Sequence, residues 1–440
     1  MFAATRFLIA ACALLSAAIG QDALRPRPVD STPYPTAVGK KGLQVQMVDD
    51  AIALGVKHAA INIDICSLIA RSPEEPHYLQ RSGCDEIRFR KHVIDALDSQ
   101  VRALTAAGVV VTAILLTTQT GEAAIDDEYT HPDAESPAPN RITAFSSRDE
   151  SARIALGEPI IFLAERYSGD PAPHGRIWNW IVGNEVNAHW YWYNQGRASL
   201  GAVAEEYAST LHHIDSLVRS RIENARIFVS LDHHWTIAPL GADSDRAVPA
   251  REFLLALRQA AAKYERLRWH VAFHPYPENL FDPRFWRDTT APDRDDAQRV
   301  TFRNLDVLLR FLAREDMLLD GEPRRVILSE QGFHCRDDQH GERDQAAAFA
   351  LAWSLVTQRE GIDAFILHRH VDHSMEGGLR LGLWSRKADS MCAPDRRRLI
   401  AEVFRDCDTR RWPACAQFAL PVLGVDQLVD WKPQDSERAK

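Results

Sequence analysis

The sequence predicts an α/β protein of the (β/α)8 class, a TIM barrel with long loops at the C-terminal rim. Two observations indicate this class. From residue 43 onward, short apolar runs typical of strands alternate with amphipathic runs typical of helices, and eight strand-like runs can be counted. In addition, no glycine-rich phosphate loop of the GxGxxG or GxxxxGK type follows any of these runs. That pattern disfavours the alternative, an open doubly wound sheet.

The predicted strands are short runs rich in β-branched, aromatic and leucine side chains. In chain order they cover residues 59–63, 109–116, 142–145, 177–183, 226–231, 269–274, 326–329 and 364–367. The run at 109–116 is continuous and the run at 177–183 is rich in tryptophan, whereas 142–145 is weak. Each run is long enough for one strand of a parallel barrel.

Helices are predicted in the intervals between these strands. Val93, Leu97, Val101 and Leu104 recur at helical spacing, and Gly108 follows as a C-terminal stop. Similar reasoning places helices at 43–55, 159–167 with a proline in the first turn, 203–218, 250–264, 302–312, 344–359 and 395–406. The interval 117–140, between the second and third predicted strands, is polar and contains proline, and it offers no convincing helix.

The composition is that of an ordinary globular protein. The chain has 440 residues, of which 45% are hydrophobic and 26% charged, so a disordered or collagen-like chain is excluded. Its 61 acidic and 52 basic residues give a net charge of −9, without a long basic run. Nucleic acid is therefore not an expected partner.

The first twenty residues are typical of a secretory signal peptide. Arg6 precedes an apolar run over 7–19, which is too short to cross a bilayer, and Ala18 and Gly20 suit cleavage before Gln21. A lipoprotein cleavage before Cys12 is the alternative. We expect a secreted or periplasmic monomer without a transmembrane segment. Its predicted parts are the signal peptide 1–20, a linker 21–42, the barrel 43–407 and an extension 408–440 packed on the barrel.

Six cysteines remain after the signal peptide, an even number that permits disulfides in an exported chain. They are Cys66, Cys84, Cys335, Cys392, Cys407 and Cys415. Their spacing favours the pair Cys407–Cys415 and, less strongly, Cys66–Cys84, and buried free thiols are the alternative. No pair has CxxC spacing, so neither a zinc ribbon nor a thioredoxin-type site is supported.

Two predicted strands end in a glutamate. Asn184 and Glu185 follow the fourth strand, and Glu330 follows the seventh. Closing parallel strands into a barrel gathers their C-terminal ends at one rim, where the chemistry of this fold takes place. A buried glutamate is costly unless it is paired or hydrogen-bonded, so two of them at one rim are candidates for acid and base roles. The alternative is that each is a solvated residue at the start of a loop.

These motifs resemble those of the retaining glycosidase superfamily, whose two catalytic glutamates follow strands four and seven. The matching strings are Gly-Asn-Glu at 183–185, Ser-Glu-Gln-Gly at 329–332, His-Pro-Tyr at 274–276 and a tryptophan at Trp384. Longer strings at 180–187, 230–235, 273–280 and 327–334 are similar to a family of mostly bacterial, uncharacterised glycosidase-like barrel proteins. This likeness runs from about residue 40 nearly to the C-terminus. It implies an architecture and residue roles, but no particular sugar.

The resemblance implies a retaining glycoside hydrolase that uses two glutamates in a double displacement. Glu185 would be the acid and then the base, with a raised pKa, and Glu330 the nucleophile. Tyr276 would donate a hydrogen bond to Glu330, and Asn184 would hold the 2-hydroxyl of the sugar. The remaining candidates for sugar binding are His274, Trp384, Trp235, Asn187, Trp190, His233 and His370. No cofactor and no metal is expected.

One feature departs from the superfamily. Many of its members place an arginine on an early strand near the nucleophile, and 109–116 contains none. Asn62, Asp64 or His58 on the first predicted strand, or Arg369 on the eighth, could supply similar electrostatics.

Two other functions stay open. Histidines and aspartates at 232–234 and 368–373 are typical metal ligands, which would suit a metal-dependent hydrolase barrel. Such barrels usually carry His-x-His on their first strand, where this chain has Asn62 and Asp64. The other alternative is a carbohydrate-binding barrel that has lost catalysis.

Overall fold

The computed structural model of the protein describes residues 28–82 and 85–432. The predicted signal peptide, residues 1–20, lies outside the described residues, as does Cys84. Eight parallel strands form a closed barrel, because the first strand pairs with the second and the eighth, and the second also pairs with the third. The prediction of a (β/α)8 barrel is confirmed.

Helices alternate with the barrel strands. The strands are β1 (Lys41–Gln44), β2 (His58–Asp64), β3 (Val110–Thr118), β4 (Ile177–Val182), β5 (Arg226–Leu231), β6 (Trp269–Phe273), β7 (Val326–Leu328) and β8 (Ile362–Leu367). The helices that follow them are α1 (Val48–Ala53), α2 (Lys91–Ala106), α3 (Glu150–Arg166), α4 (Leu200–Arg219), α5 (Ala250–Ala261), α6 (Asp306–Leu312), α7 (Gly341–Thr357) and α8 (Leu399–Asp406).

Smaller elements occupy the loops and the C-terminal segment. Two antiparallel pairs join His77–Ser82 to Asp85–Arg90 and Trp384–Arg386 to Pro394–Arg397. Short helices cover Ile65–Leu68, Ala123–Tyr129, His189–Trp192, Trp412–Cys415 and Leu420–Leu423, and single 3-10 turns cover Pro139–Arg141, Val186–Ala188, Pro239–Gly241, Phe285–Arg287, Glu315–Met317, Gln417–Ala419 and Leu428–Asp430.

The first strand of the barrel was not predicted from the sequence. Residues 43–55 were predicted as one helix after a linker ending at 42, but the chain forms β1 and then α1. The strand was not recognisable because its residues are Lys-Gly-Leu-Gln. Lys41 is only 1% exposed, and its ammonium group reaches Asp408 Oδ1 at 2.6 Å. A buried lysine that extends to an ion pair at its tip can therefore replace an apolar strand residue.

The third predicted strand is not a barrel strand. Only Ile142–Thr143 is extended, and it pairs antiparallel with Thr117 and Thr118 at the end of β3. The first two predicted strands correspond to β2 and β3, and the count agrees from β4 onward. The interval between the second and third predicted strands therefore holds no helix that connects two barrel strands, but it does contain the short helix Ala123–Tyr129, which the sequence did not predict.

The helix before β4 is longer than predicted. It begins at Glu150, where the Asp149 side chain accepts a hydrogen bond from Ala152 N at 2.9 Å. Pro159 lies inside this helix and not in its first turn. The aspartate cap, a strong helix start signal, was overlooked in favour of the proline.

The interior of the barrel is filled with side chains from seven of its strands. They are Ala60, Ile114, Ile181, Phe228, Ala272, Ile327, Ala364 and Ile366, all buried. A second apolar layer lies between the sheet and the helices, and residues from 412 to 431 add Trp412, Phe418 and Trp431 to its edge. Because the interior is a packed core, a substrate can be bound only at the ends of the strands.

The cysteine prediction is wrong where the structure tests it. Cys407 and Cys415 are both free thiols, as are Cys66, Cys335 and Cys392. The Cys407 thiol points back along the chain to Phe404 O at 3.2 Å, and burial raises its pKa. The pair Cys66–Cys84 involves a residue outside the described ranges. The alternative of buried free thiols describes Cys407 better.

None of the helices within 28–82 and 85–432 combines the length and the apolar character needed to span a bilayer.

Candidate active site

Glu185 lies at the C-terminal end of β4 in a sharp turn of the chain. Gly183 has φ +75°, and a Cβ atom there would lie 2.5 Å from the Tyr193 ring. Glu185 itself has φ 39° and ψ 53°, the left-handed region that non-glycine residues rarely adopt. Its backbone N–H donates to Ser230 Oγ, at the end of β5, at 3.0 Å. The turn and this bond fix the carboxylate at the rim.

His274, which follows β6, connects three strand ends. Its Nδ1 lies 2.9 Å from Glu185 Oε1. Its Nε2 lies 3.1 Å from Ser329 Oγ and 3.3 Å from Ser230 Oγ. An Nδ1–H group that donates to the carboxylate leaves Nε2 to accept from a serine hydroxyl, so the two serines orient the ring.

Tyr276 contacts the second glutamate. Its hydroxyl donates to Glu330 Oε1 at 3.2 Å, the contact expected from the sequence. Burial and the charges of Glu330 and Glu376 raise the pKa of Tyr276 well above its usual value. The phenol therefore stays protonated and acts as a donor. The neighbouring Gln331 is buried and donates from Nε2 to Ile366 O at 2.5 Å, which anchors the chain beside Glu330.

The two glutamates act on each other electrostatically. Burial raises the pKa of Glu185, and the negative charges of Asp232 and Glu330 raise it further, against the lowering effect of the His274 hydrogen bond. Burial lowers the pKa of His274, but the bond to Glu185 and the charge of Glu330 outweigh it and the net shift is upward. The site therefore holds a proton near Glu185 more firmly than water would.

Two more of the predicted residues, Asn187 and His233, lie in a cluster around Asp232. Asn187 Nδ2 donates to Asp232 Oδ1 at 2.8 Å, and Asp232 N donates to Asn187 Oδ1 at 3.1 Å. His234 Nδ1 lies 2.7 Å from the other Asp232 oxygen and stacks on His233, with ring centroids 4.4 Å apart. Burial lowers the pKa of His233 to about 3. Asn187 and His233 thus support the turn behind Glu185.

His370 and Trp384 form a separate cluster around Asp50 at the start of α1. His370 Nε2 lies 3.0 Å from Asp50 Oδ2, and the Trp384 indole donates to the same oxygen at 2.9 Å. Arg397 lies over the Trp384 ring, 4.9 Å from its centroid. At most one face of this indole is left for a sugar.

The other aromatic residues predicted to bind sugar are less available for stacking on a sugar ring. Trp235 is 1% exposed and packs edge-on against Phe311, so it cannot stack on a sugar as expected. Its direction could not be read from the sequence because it depends on the packing of α6. Trp190 is half-buried, with Arg246 lying 4.7 Å from its ring centroid. Asn184, directly before Glu185, is half-buried at the rim.

None of the proposed substitutes for the early arginine contacts Glu330 in the described structure. Asn62 accepts from Gln44 at 3.0 Å, Asp64 accepts from the Thr118 hydroxyl at 2.8 Å, and His58 binds Gly39 O at 3.1 Å. Arg369 forms an ion pair with Glu376. Among the described residues, Glu330 accepts a hydrogen bond from the neutral phenol of Tyr276, and its charge also acts on His274.

Glu376 is a rim residue that the sequence reading missed. Burial raises the pKa of Glu376, but His368 and Arg369 outweigh this effect and lower the pKa to about 2. The negative charge of Glu376 in turn raises the pKa of Tyr276. It lies nine residues beyond β8 in a polar loop. No local pattern distinguishes it from a solvated glutamate.

The histidines and aspartates at 232–234 and 368–373, which the sequence suggested as metal ligands, form separate histidine–aspartate pairs. Asp232 binds His234, and Asp50 binds His370. Among the residues that the structure describes, no group of three or more His, Cys, Asp or Glu side chains is arranged to hold a metal ion.

The comparisons agree with this architecture. A family model described as "Family of unknown function (DUF5722)" matches residues 33–431. No curated protein sequence matches the chain significantly. This match and the similarity to solved glycoside hydrolase structures described below confirm the expected likeness to an uncharacterised family of glycosidase-like barrels.

Among solved structures, the chain is similar to a family 39 glycoside hydrolase from Bacteroides cellulosilyticus WH2, with a TM-score of 0.52 and 13% identity. The match covers 81% of this chain and 59% of that enzyme, so this chain spans well under two thirds of its length. It is also similar to a family 1 β-glucosidase from Thermotoga maritima in complex with isofagomine lactam, with a TM-score of 0.50, 14% identity and coverage of 82% and 84%. At these identities the likeness concerns the fold.

Proposed function

The chain belongs to the DUF5722 family of unknown function, and from its site we propose that it is a retaining glycoside hydrolase with Glu185 as acid and base and Glu330 as nucleophile. One observation carries the proposal: His274 binds Glu185 while Tyr276, two residues later, binds Glu330. The three residues His274 to Tyr276, directly after β6, thus bind both carboxylates. The likeness of the fold to glycosidases supports this assignment.

The first step would form a glycosyl ester. The Glu330 carboxylate attacks the anomeric carbon, and Glu185 transfers its proton to the glycosidic oxygen, which leaves as an alcohol. Burial and the charges of Asp232 and Glu330 raise the pKa of Glu185, which favours the protonated form that this step needs. The Tyr276 phenol holds Glu330 in place for the attack.

The second step would release the sugar. Glu185, now a carboxylate, takes a proton from a water molecule, whose oxygen attacks the anomeric carbon and displaces Glu330. Two inversions retain the configuration of the sugar. This mechanism needs the two carboxyl groups about 5 to 5.5 Å apart.

A polysaccharide and oligosaccharide panel tests the proposal, with the first anomer formed identified by NMR. We expect cleavage with retention, a loss of about 1,000-fold or more in kcat for Glu185→Gln and Glu330→Gln, and no change for Glu252→Gln, an exposed residue of α5. A 2-fluoro glycoside of the cleaved sugar should add its mass to the peptide that contains Glu330. Cleavage that survives both substitutions would refute the assignment, and binding without cleavage would favour the inactive carbohydrate-binding barrel.

A further inference from the structure

A cavity of about 300 Å³ lies among the loops at the C-terminal end of the barrel, and four of its nine lining residues are arginines. We call it the arginine cavity. Its walls come from the loop after β6, the loop after β7, the start of α7 and the C-terminal segment. It is lined by Arg284, Trp286, Arg287, Arg336, His340, Arg343, Asp344, Pro421 and Val422.

Two of the four guanidinium groups are neutralised inside the protein. Arg284 donates to both oxygens of Asp282, at 2.7 and 2.6 Å. Arg336 reaches Asp344 at 2.6 Å and Asp338 at 3.3 Å, while its Nε atom is buried without a hydrogen-bond partner. These pairs fix the wall of the cavity and leave little charge for a ligand.

The other two guanidinium groups have no carboxylate partner among the described residues. Arg287 is exposed at the end of a 3-10 turn and makes no side-chain hydrogen bond. Arg343, exposed in the first turn of α7, makes one long bond of 3.4 Å, to Phe418 O. Arginines that share a cavity repel each other unless an anion lies between them, and their planar donors suit a carboxylate or a sulfate.

The cavity also has an aromatic wall. Trp286 is half-buried beside Arg287, and the adjacent Phe285 packs on Phe302 and Phe333 in the core. This packing anchors the 3-10 turn that carries Trp286 and Arg287. A fixed indole beside unpaired arginines is suited to an apolar sugar face that bears an anionic group.

We propose that the arginine cavity binds the anionic substituent, a carboxylate or a sulfate, of a glycan that extends along the rim from the Glu185 and Glu330 site. That the ligand is a glycan rests on the proposed function, whereas its negative charge rests on the two unpaired arginines. The loops after β6 and β7 carry Tyr276 and Glu330 as well as most of the cavity lining, so the site and the cavity share the C-terminal end of the barrel. The protein would accordingly act on an acidic polysaccharide.

Calorimetric titration of the full chain tests this with three probes: an oligogalacturonate for carboxylate, an oligosaccharide of a sulfated galactan for sulfate, and a neutral galactan oligosaccharide. We expect at least one anionic probe to bind, with an affinity that falls in 0.5 M salt because exposed charges are screened. The double variant Arg287→Ala/Arg343→Ala should bind it about tenfold or more weakly. Arg102→Ala, which removes an exposed arginine of α2, should bind like the wild type.

The outcomes separate this inference from the proposed function. Equal binding of the neutral probe, unchanged affinity in the double variant, or no binding of either anionic probe overturns the inference, even if the chain cleaves a neutral glycan through Glu185 and Glu330. Anion binding that depends on the two arginines supports it, even if no glycan is cleaved and the proposed function fails. The carboxylate and sulfate probes decide which anionic group is recognised. Circular dichroism of the double variant, whose substituted side chains are both exposed, checks that it is folded.

Discussion

Glu185 shows at the scale of one residue how the fold controls a proton. Its backbone adopts a left-handed conformation, which costs a non-glycine residue of the order of 1 kcal/mol or more. The surroundings compensate by binding its N–H to Ser230 and its carboxylate to His274. Asp232, held by Asn187, adds a negative charge that raises the pKa of Glu185. The acid function proposed for Glu185 would therefore depend on the residues that bind and surround it.

The dependence of kcat/KM on pH should reveal the effect of Asp232 on the pKa of Glu185. In the proposed mechanism Glu185 must be protonated in the free enzyme, so its pKa sets the basic limb of kcat/KM. Asp232→Asn removes a charge that raises this pKa, and the basic limb should move to lower pH. The variant should also lose activity at pH 7 and above, while keeping most of it near the acidic limb. The measurement is kcat/KM against pH on a glycan found in the panel.

A matched substitution on the same loop separates charge from structure. Asp243→Asn changes an exposed aspartate after β5 and should leave both limbs in place. If Asp232→Asn lowers kcat/KM equally at every pH without moving the basic limb, Asp232 serves only to hold Asn187 and His234. A shift of that limb to higher pH would contradict the electrostatic argument.

The sequence predicts most readily those site residues whose position follows from the chain alone. Glu185 and Glu330 stand directly after apolar runs, and a barrel brings such strand ends to one rim. Trp235 also follows a strand, yet it turns into the core against Phe311. Side-chain direction in a loop depends on the neighbouring helices, which no local pattern specifies.

At the scale of elements, β1 is a strand that the local sequence pattern does not predict. Lys41 and Gly42 are poor strand residues by propensity, but both are required by the closure of the barrel. A Cβ atom on Gly42 would lie 2.8 Å from Ile366 Cγ1 and 3.0 Å from His58 Cβ, so β1 passes closely between β8 and β2. Lys41 extends along the outer layer to Asp408. These are long-range contacts, and they are invisible in a window of neighbouring residues.

Gly42→Ala should therefore destabilise the barrel. The added methyl group must displace Ile366 or separate β1 from β8, which is overpacking and costs about 1 to 3 kcal/mol. We expect the urea midpoint of unfolding to fall with little change in the slope. The backbone strain of a left-handed glycine does not contribute, because Gly42 is an ordinary strand residue.

Gly201→Ala provides the control. Gly201 lies in the first turn of α4, and a Cβ atom there would meet nothing within 4 Å. Alanine is the better helix former by about 1 kcal/mol at most, so this variant should be as stable as the wild type or slightly more stable. Equal stability of Gly42→Ala and wild type would show that β1 is not tightly packed between its neighbours.

At the scale of the whole molecule, buried histidines link stability to pH. Burial lowers the pKa of His58 to about 4 and that of His233 to about 3, and it lowers the pKa of His270 well below 6.5. An unfolded histidine binds its proton near pH 6.5. Below pH 6.5 these histidines are protonated in the unfolded chain but remain neutral in the folded chain. The free energy of unfolding therefore decreases as the pH falls below 6.5.

Asp288, in the loop after β6, acts in the opposite direction. Burial raises its pKa from 3.8 to about 8, and its Oδ2 atom is buried without a partner. Here the folded state binds the proton more tightly than the unfolded state. Its contribution is fully present below pH 3.8 and is lost as the pH rises through 8.

The two effects together predict a maximum of the unfolding free energy near pH 6.5. Below that value the buried histidines with lowered pKa outweigh Asp288, and above pH 6.5 Asp288 and His274, whose pKa is also raised, make stability fall. Asp288→Asn cannot ionise, so it should make the decline above pH 6.5 shallower and be about 1 to 3 kcal/mol more stable than the wild type at pH 8. Urea unfolding from pH 5 to 9 measures both curves. Asp127→Asn, at an exposed position, should reproduce the wild-type curve. A decline as steep in Asp288→Asn as in the wild type would assign it to other groups.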